Sequence, residues 1–262
     1  MKARLVLPAI VIVASWGCSS APLAPRSDLL RSPPQYRQPL TGAIRTIVID
    51  AGHGGHDPGA SHHGLREKHL TLDIARRLRT NLQNAGLTVV MTRETDQFIS
   101  LSGRPSVANR LGADLFVSVH INANKSQRVS GAEVYYPRVS AVSQTAAWPP
   151  SVRSAEVGVP SMTVKQILWD LVLGRTRSQS RRLATDICGS MRQGLQVGCK
   201  TRSARFVVLR EAWMPSVLVE VGYVSNLPEA QRLNRSDYRA AAAASIAQGI
   251  VSYIRDTGAQ HI

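Results

Sequence analysis

The chain has 262 residues, 44% of them hydrophobic and 19% charged, and 32 Lys+Arg against 17 Asp+Glu leave a net charge of +15. That apolar content excludes a disordered or collagen-like chain, and at roughly 150 residues per domain the length suits one enzyme-sized domain with appendages. A charge of +15 fits nucleic acid, an anionic membrane surface or an acidic polymer, and composition alone does not choose among them.

At the amino terminus Lys2 and Arg4 flank the start of a ten-residue uncharged run, Leu5 to Ala14. A spanning helix needs roughly 20 apolar residues, so residues 1–18 read as an export signal. Its end, Ser15-Trp16-Gly17-Cys18-Ser19-Ser20, resembles the cleavage box of bacterial lipoproteins, in which the Cys is lipidated and becomes the new terminus. Ser15 and Trp16 depart from the aliphatic and small residues that such boxes carry. Two outcomes stay open: membrane anchoring through lipidated Cys18, or ordinary cleavage that releases a soluble exported protein. Export to the periplasm or cell envelope makes nucleic acid a poor partner, as do 5% aromatics. In a host with two membranes, Ser19 beside a lipidated Cys favours the outer membrane by resemblance to lipoprotein sorting rules. Residues 19–43 carry Pro22, Pro25, Pro33, Pro34 and Pro39 without an apolar period and read as a tether.

Beyond the tether, short β-branched runs alternate with helical stretches. Thr46 to Asp50, Thr88 to Met91, Leu115 to His120, Ala132 to Tyr136, Phe206 to Leu209 and Val217 to Val221 are predicted strands, most of them apolar throughout as two-sided buried strands are. Leu70, Ile74, Leu78 and Leu82 form one face of a helix that Gly86 ends. Ser180 to Gln193 is helical, and a run containing Tyr238, Ala242, Ile246, Ile250 and Ile254 makes a closing helix. The alternation implies an α/β fold: a mainly parallel central sheet flanked by helices, in a single domain over residues 44–258. Cys188 and Cys199 either bridge or remain free thiols.

Ligands of parallel sheets bind outside the carboxyl ends of the strands. The first predicted strand runs into a Gly-rich loop, Ala51-Gly52-His53-Gly54-Gly55-His56-Asp57-Pro58-Gly59, while the runs Leu115 to Val119 and Val217 to Val219 deliver His120 and Glu220. Glu67 opens the helix leaving the first loop. Two histidines and a carboxylate from separate elements make a catalytic zinc set with one position open for water, and a further carboxylate then serves as general base. Each residue alone has a plainer reading. A strand-end histidine is often structural, Glu67 suits a helix start, and Glu220 has many arginines to pair with. His56, His62, His63 and His69 are rival ligands that spacing does not exclude.

The segment Val48-Ile49-Asp50-Ala51-Gly52-His53-Gly54-Gly55-His56-Asp57-Pro58-Gly59-Ala60 resembles the opening motif of the zinc-dependent N-acetylmuramoyl-L-alanine amidases. The resemblance continues through Leu65-Arg66-Glu67-Lys68, Met91-Thr92-Arg93-Glu94-Thr95-Asp96 with Leu101, Arg104, Ala108 and Asn109, Ser118-Val119-His120-Ile121-Asn122-Ala123, and Pro215 to Asn226. It implies Zn2+ held by His53, Glu67 and His120, with Glu220 as the catalytic proton carrier. The implied reaction is hydrolysis of the amide between N-acetylmuramic acid and L-alanine in peptidoglycan, in wall remodelling or daughter-cell separation. A non-catalytic peptidoglycan-binding lipoprotein, or another zinc peptidase or deacetylase of the wall, are the alternatives.

Arg138 to Gln179 is too long for an ordinary connection and reads as an inserted segment. Val164, Ile167, Leu168, Leu171 and Val172 have helical spacing, with Ser161 or Thr163 as cap. Ile167-Leu168-Trp169-Asp170-Leu171 resembles a segment of the cell-division amidases, in which an inserted helix covers the zinc cleft until an activator protein withdraws it. On that reading Glu156 plugs the open zinc position, and on the other the helix packs on the sheet edge.

Overall fold

A computed structural model of the chain describes residues 44–138 and 162–258, the side chains of 162–173 excepted. The signal peptide, the tether, Cys18, Glu156 and Ser161 lie outside the described residues, and so do the contacts of the amphipathic positions from Val164 to Val172.

Six strands form the main sheet: β1 (Thr46–Ala51), β4 (Thr88–Met91), β5 (Leu115–Asn122), β6 (Ala132–Pro137), β7 (Cys199–Ala204) and β8 (Ser216–Tyr223). Their spatial order is β4-β1-β5-β8-β6-β7. All neighbouring pairs are parallel except β6 with β8, so β6 and β7 run against the other four. Two short strands, β2 (Ser61–His62) and β3 (Leu65–Arg66), form a separate hairpin. The helices are α1 (Glu67–Asn84), α2 (Gly103–Leu111), α3 (Met162–Leu195), α4 (Val207–Arg210), α5 (Leu227–Asn234) and α6 (Ser236–Gly258).

Side chains alternate across a strand, and the two faces of the sheet acquire different cores. Ile47, Ile49, Val117, Val119, Val217 and Val219 point to one face, where Leu78 of α1, Ile187 of α3 and Ile246 of α6 pack on them. Val48, Phe116 and Leu218 point to the other, which α2 and the short α4 cover with Ala108, Val208 and Leu209. Asp50 shares that second face with Val48, which buries a carboxylate at the end of β1 where the chain leaves the sheet.

Two expectations need correction. Phe206 to Leu209 is not a strand: Val207–Arg210 forms α4, because consecutive Val208 and Leu209 are both buried in one cluster, as a helical turn allows and strand alternation does not. The outer place in the sheet goes to β7, whose sequence CKTRSA lacks an apolar run and exposes Lys200, Thr201 and Arg202. What secures it is pairing with β6 and a Cys188–Cys199 disulfide to α3, closing a separation of 11 residues. Loop-closure entropy for that length gives about 2–3 kcal/mol of stabilisation. The second correction concerns the inserted segment, where Met162–Leu195 is one continuous helix and not a separate helix followed by another from Ser180.

Helices α1 and α6 are tied by Asp73, whose Oδ2 accepts hydrogen bonds from Arg77 Nε at 3.0 Å and Arg239 Nε at 2.5 Å. Partial burial acts to raise the Asp73 pKa, but the two guanidinium groups prevail and hold it below its ordinary 3.8. A carboxyl depressed on folding adds stability above its unfolded pKa and loses it as pH falls through the native value. Asp73→Asn is therefore expected to lower the urea midpoint at neutral pH, with the gap closing as the pH falls through the depressed native value; an equal deficit at every pH would show that the ion pairs are not its cause.

Candidate metal centre

The loop after β1 holds His53 in a left-handed conformation, φ 60°, unusual for a residue with a side chain. Two buried arginines fix it there. Arg104 donates from Nη1 to Asp50 Oδ1 at 2.9 Å and the Ala51 carbonyl at 2.8 Å, and from Nη2 to the His53 carbonyl at 3.0 Å. Arg93 donates to the carbonyls of Ala51 and Gly52, each at 2.8 Å, and to that of Lys68 at 2.9 Å. Asp50 is fully buried and also accepts from Thr92 Oγ1 and Ser118 Oγ, both at 2.7 Å. Gly52 has no room for a side chain, since a Cβ would run into the His120 ring.

The β2–β3 hairpin turns through His63 and Gly64, both at positive φ as a two-residue turn requires, and places Glu67 at the first position of α1. The first amides of α1 are satisfied by the loop: Glu67 N–H donates to the Ala60 carbonyl at 2.9 Å, and Lys68 N–H to that of Pro58 at 3.2 Å. In return Glu67 Oε2 accepts the Ala60 N–H at 2.8 Å, leaving Oε1 facing the histidines.

His53 Nε2 lies 3.1 Å from Glu67 Oε1, and His120 Nδ1 lies 2.9 Å from the same oxygen. One donor atom from each of His53, Glu67 and His120 lies within 4.8 Å of the others, a group able to hold a metal ion. Tetrahedral donors at about 2.0–2.1 Å from a zinc ion sit about 3.3 Å apart, close to these separations. His53 Nδ1 is engaged by Asp57 Oδ2 at 2.7 Å, the carboxylate–imidazole arrangement that orients a metal-binding histidine. Burial acts to lower the His53 pKa, yet Glu67 and Asp57 outweigh it and raise it above 6.5. Burial acts to raise Glu67, and the two imidazoles outweigh it and bring the carboxyl far below its usual range.

Neither His120 nor Glu220 ends its strand: β5 continues to Asn122 and β8 to Tyr223. The two are register partners on adjacent strands, and the register shifts just beyond them. Glu220 is also level with Glu133 of β6. Its Oε2 is buried without a hydrogen-bond partner among the described residues. Burial, then the charges of Glu67 and Glu133, push its pKa well above 4.5. Glu133 is itself well satisfied, accepting from Arg202 Nε at 2.7 Å and Tyr135 Oη at 2.5 Å. Burial and Glu133 push the neighbouring Tyr223 up to about 12, so its hydroxyl stays protonated.

The rival histidines stand apart. His56 stacks on Phe98, with ring centroids 4.1 Å apart, His62 and His69 are exposed, and His63 reaches the Ser225 carbonyl at 3.4 Å.

Comparison with known proteins agrees with this geometry. Residues 47–252 match the family model described as N-acetylmuramoyl-L-alanine amidase. The chain belongs to that family. It is 34% identical over 241 residues to the N-acetylmuramoyl-L-alanine amidase AmiA of Escherichia coli K12, covering 87% of this chain and 83% of that protein. The solved N-acetylmuramoyl-L-alanine amidase AmiC2 of Nostoc punctiforme superposes with a TM-score of 0.63 at 32% identity, over 82% of this chain and 99% of that one. The CwlD amidase of Clostridioides difficile, solved in complex with the GerS lipoprotein, gives 0.63 at 25% identity over 81% and 99%.

The amidase fold thus brings together all four residues singled out in the sequence. Asp57, Arg93, Arg104 and the Glu133–Arg202–Tyr135 group were not assigned roles there. Arg93 and Arg104 carry no sequence signal of burial, and β7, which bears Arg202, shows no strand pattern. Removing one partner of a buried ion pair costs about 3–5 kcal/mol. Arg104→Ala should lose stability on that scale by urea unfolding, and a wild-type midpoint would mean that the Asp50 pair does not brace the loop.

Proposed function

We propose that this amidase is zinc-dependent and cleaves the amide between the lactyl group of N-acetylmuramic acid and the L-alanine of the peptidoglycan stem. The observation that carries this is the convergence of His53 Nε2, Glu67 Oε1 and His120 Nδ1 beside the Glu220 carboxylate, whose Oε2 has no partner among the described residues. The donor set suits zinc, and His53, Glu67 and His120 would hold it. Bound zinc supplies Lewis acidity, lowering the pKa of water and polarising the scissile carbonyl. Asp57 fixes the His53 tautomer so that Nε2 is the free donor. Glu220 accepts a proton from the attacking water and passes it to the departing alanine nitrogen, and burial beside Glu67 and Glu133 gives it the required proton affinity. The +15 charge suits a polymer rich in carboxylates, through an attraction that salt weakens.

Metal analysis and mass spectrometry of fragments released from purified sacculi test this reading. Alanine at His53, Glu67 or His120 should remove zinc and activity together, and a fully active His53→Ala enzyme would refute the ligand set. Glu220→Gln should keep zinc and lose about 10²–10⁴-fold in rate, whereas an active Glu220→Gln enzyme would place the base elsewhere.

The inserted segment 138–179 is proposed to restrict access to the centre until an activator engages it. The test exchanges Arg138 to Arg177 for a Gly/Ser linker, which removes the amphipathic positions Val164 to Val172 and keeps the part of α3 that carries buried Leu183, Ile187 and Met191. Faster release from dye-labelled sacculi is expected, and a folded, zinc-loaded variant with no gain would rule the restriction out. Anchoring in the envelope through Cys18 is proposed as well. A clickable fatty acid should label the wild type and not Cys18→Ser, and an unlabelled wild type would identify a freely diffusing enzyme.

A further inference from the structure

The amidase reading leaves the stem peptide without a binding group, and the sheet offers one beside Glu220. Counting sideways from Glu220, β6 brings Glu133 to the same level and β7 lies beyond it. Arg202 of β7 is level with Tyr135, yet its Nε reaches Glu133 Oε1 at 2.7 Å. The guanidinium therefore leans back by two residues, about 6–7 Å at the rise of a strand, toward the end of the sheet where Glu220 and His120 lie. It also reaches from β7 over β6, which leaves it about one strand spacing, roughly 5 Å, from the Glu220 column.

This arginine is not spent on its ion pair. Its side chain is 52% exposed, and among the described residues neither Nη atom has a hydrogen-bond partner. Glu133, only 10% exposed, grips the Nε edge and turns the Nη fork outward, the geometry that receives a carboxylate in bidentate fashion. Lys200 stands on the same strand, two residues away on the same side, exposed and level with Glu133. A peptide leaving the scissile amide in extended form covers about 3.3–3.6 Å per residue. A carboxylate one to two residues beyond the cleaved bond thus falls at the distance of the Arg202 fork.

We propose that Arg202, aimed by Glu133 and supported by Lys200, is a specificity-determining residue that binds a free carboxylate of the stem peptide one to two residues past the scissile amide. This rests on the amidase reading. It makes the enzyme distinguish stems whose nearest carboxyl is free from stems in which it is a carboxamide.

The test uses two synthetic muramyl peptides that differ only in that group, free carboxylate against carboxamide, with kcat and KM measured for each. The wild type should favour the carboxylate by about 10-fold or more in KM with similar kcat, the scale of one charge-assisted bidentate contact. Arg202→Gln should abolish that preference by weakening the carboxylate substrate alone. Arg210→Gln, which removes an exposed charge elsewhere, should retain it and so separates local binding from the general field of a basic protein. Should Arg202→Gln fail to fold, Arg202→Lys reads the same ratio, expected to fall without vanishing because the charge stays and the fork is lost. Equal wild-type kinetics on both peptides, a preference that survives Arg202→Gln, or an equal loss on both peptides would each overturn the proposal. Cleavage of neither peptide by the zinc-loaded variant that lacks the inserted segment would instead overturn the amidase reading itself.

Discussion

The ion pair between Asp50 and Arg104 is the constraint from which the centre is built. Asp50 has no exposure to solvent, and an uncompensated carboxylate there would be prohibitively costly. Arg104 compensates it and, with its remaining N–H groups, takes hold of the Ala51 and His53 carbonyls. The charge needed to bury Asp50 thus also fixes the path of the chain out of β1. Arg93 completes the grip through Gly52 and Lys68, linking the His53 loop to the start of α1. A loop that holds a histidine at positive φ is secured by several such bonds, because each contributes only about 1 kcal/mol and the strained conformation costs about 1–3 kcal/mol.

The sheet sorts its polar groups with equal economy. On the face packed by α1, α3 and α6 nearly everything is aliphatic. On the opposite face the strands carry Asp50, Ser118, His120, Glu133 and Glu220 as well as Val48, Phe116 and Leu218. Reversal of β6 sets Glu133 level with Glu220, so two carboxylates face one another across neighbouring strands. Glu133 accepts from two donors, whereas Glu220 Oε2 has none among the described residues.

The parts of the fold that repeat an apolar period were legible in the sequence: β4 and the core of α1 fall where Thr88 to Met91 and Leu70 to Leu82 predict them. The candidate residues stood out in the sequence because His53 follows one apolar run, His120 and Glu220 continue two others, and Glu67 opens α1. What the sequence hid lacks periodicity. β7 is a polar strand secured by pairing and a disulfide, α4 is a single turn, and the β2–β3 hairpin announces itself only through His63-Gly64. Burial of Arg93 and Arg104 was equally hidden, since arginine is ordinarily a surface residue and only tertiary placement reveals that these two sit inside.

The unbroken run of α3 joins the inserted segment directly to the core. A helix of 34 residues is a rod about 50 Å long. Its carboxyl half is riveted into the domain by Leu183, Ile187 and Met191, and bolted to β7 through Cys188. The same stretch of helix is thus fixed both to the core and to the strand that carries Arg202, so the seating of α3 and the position of that arginine are set together.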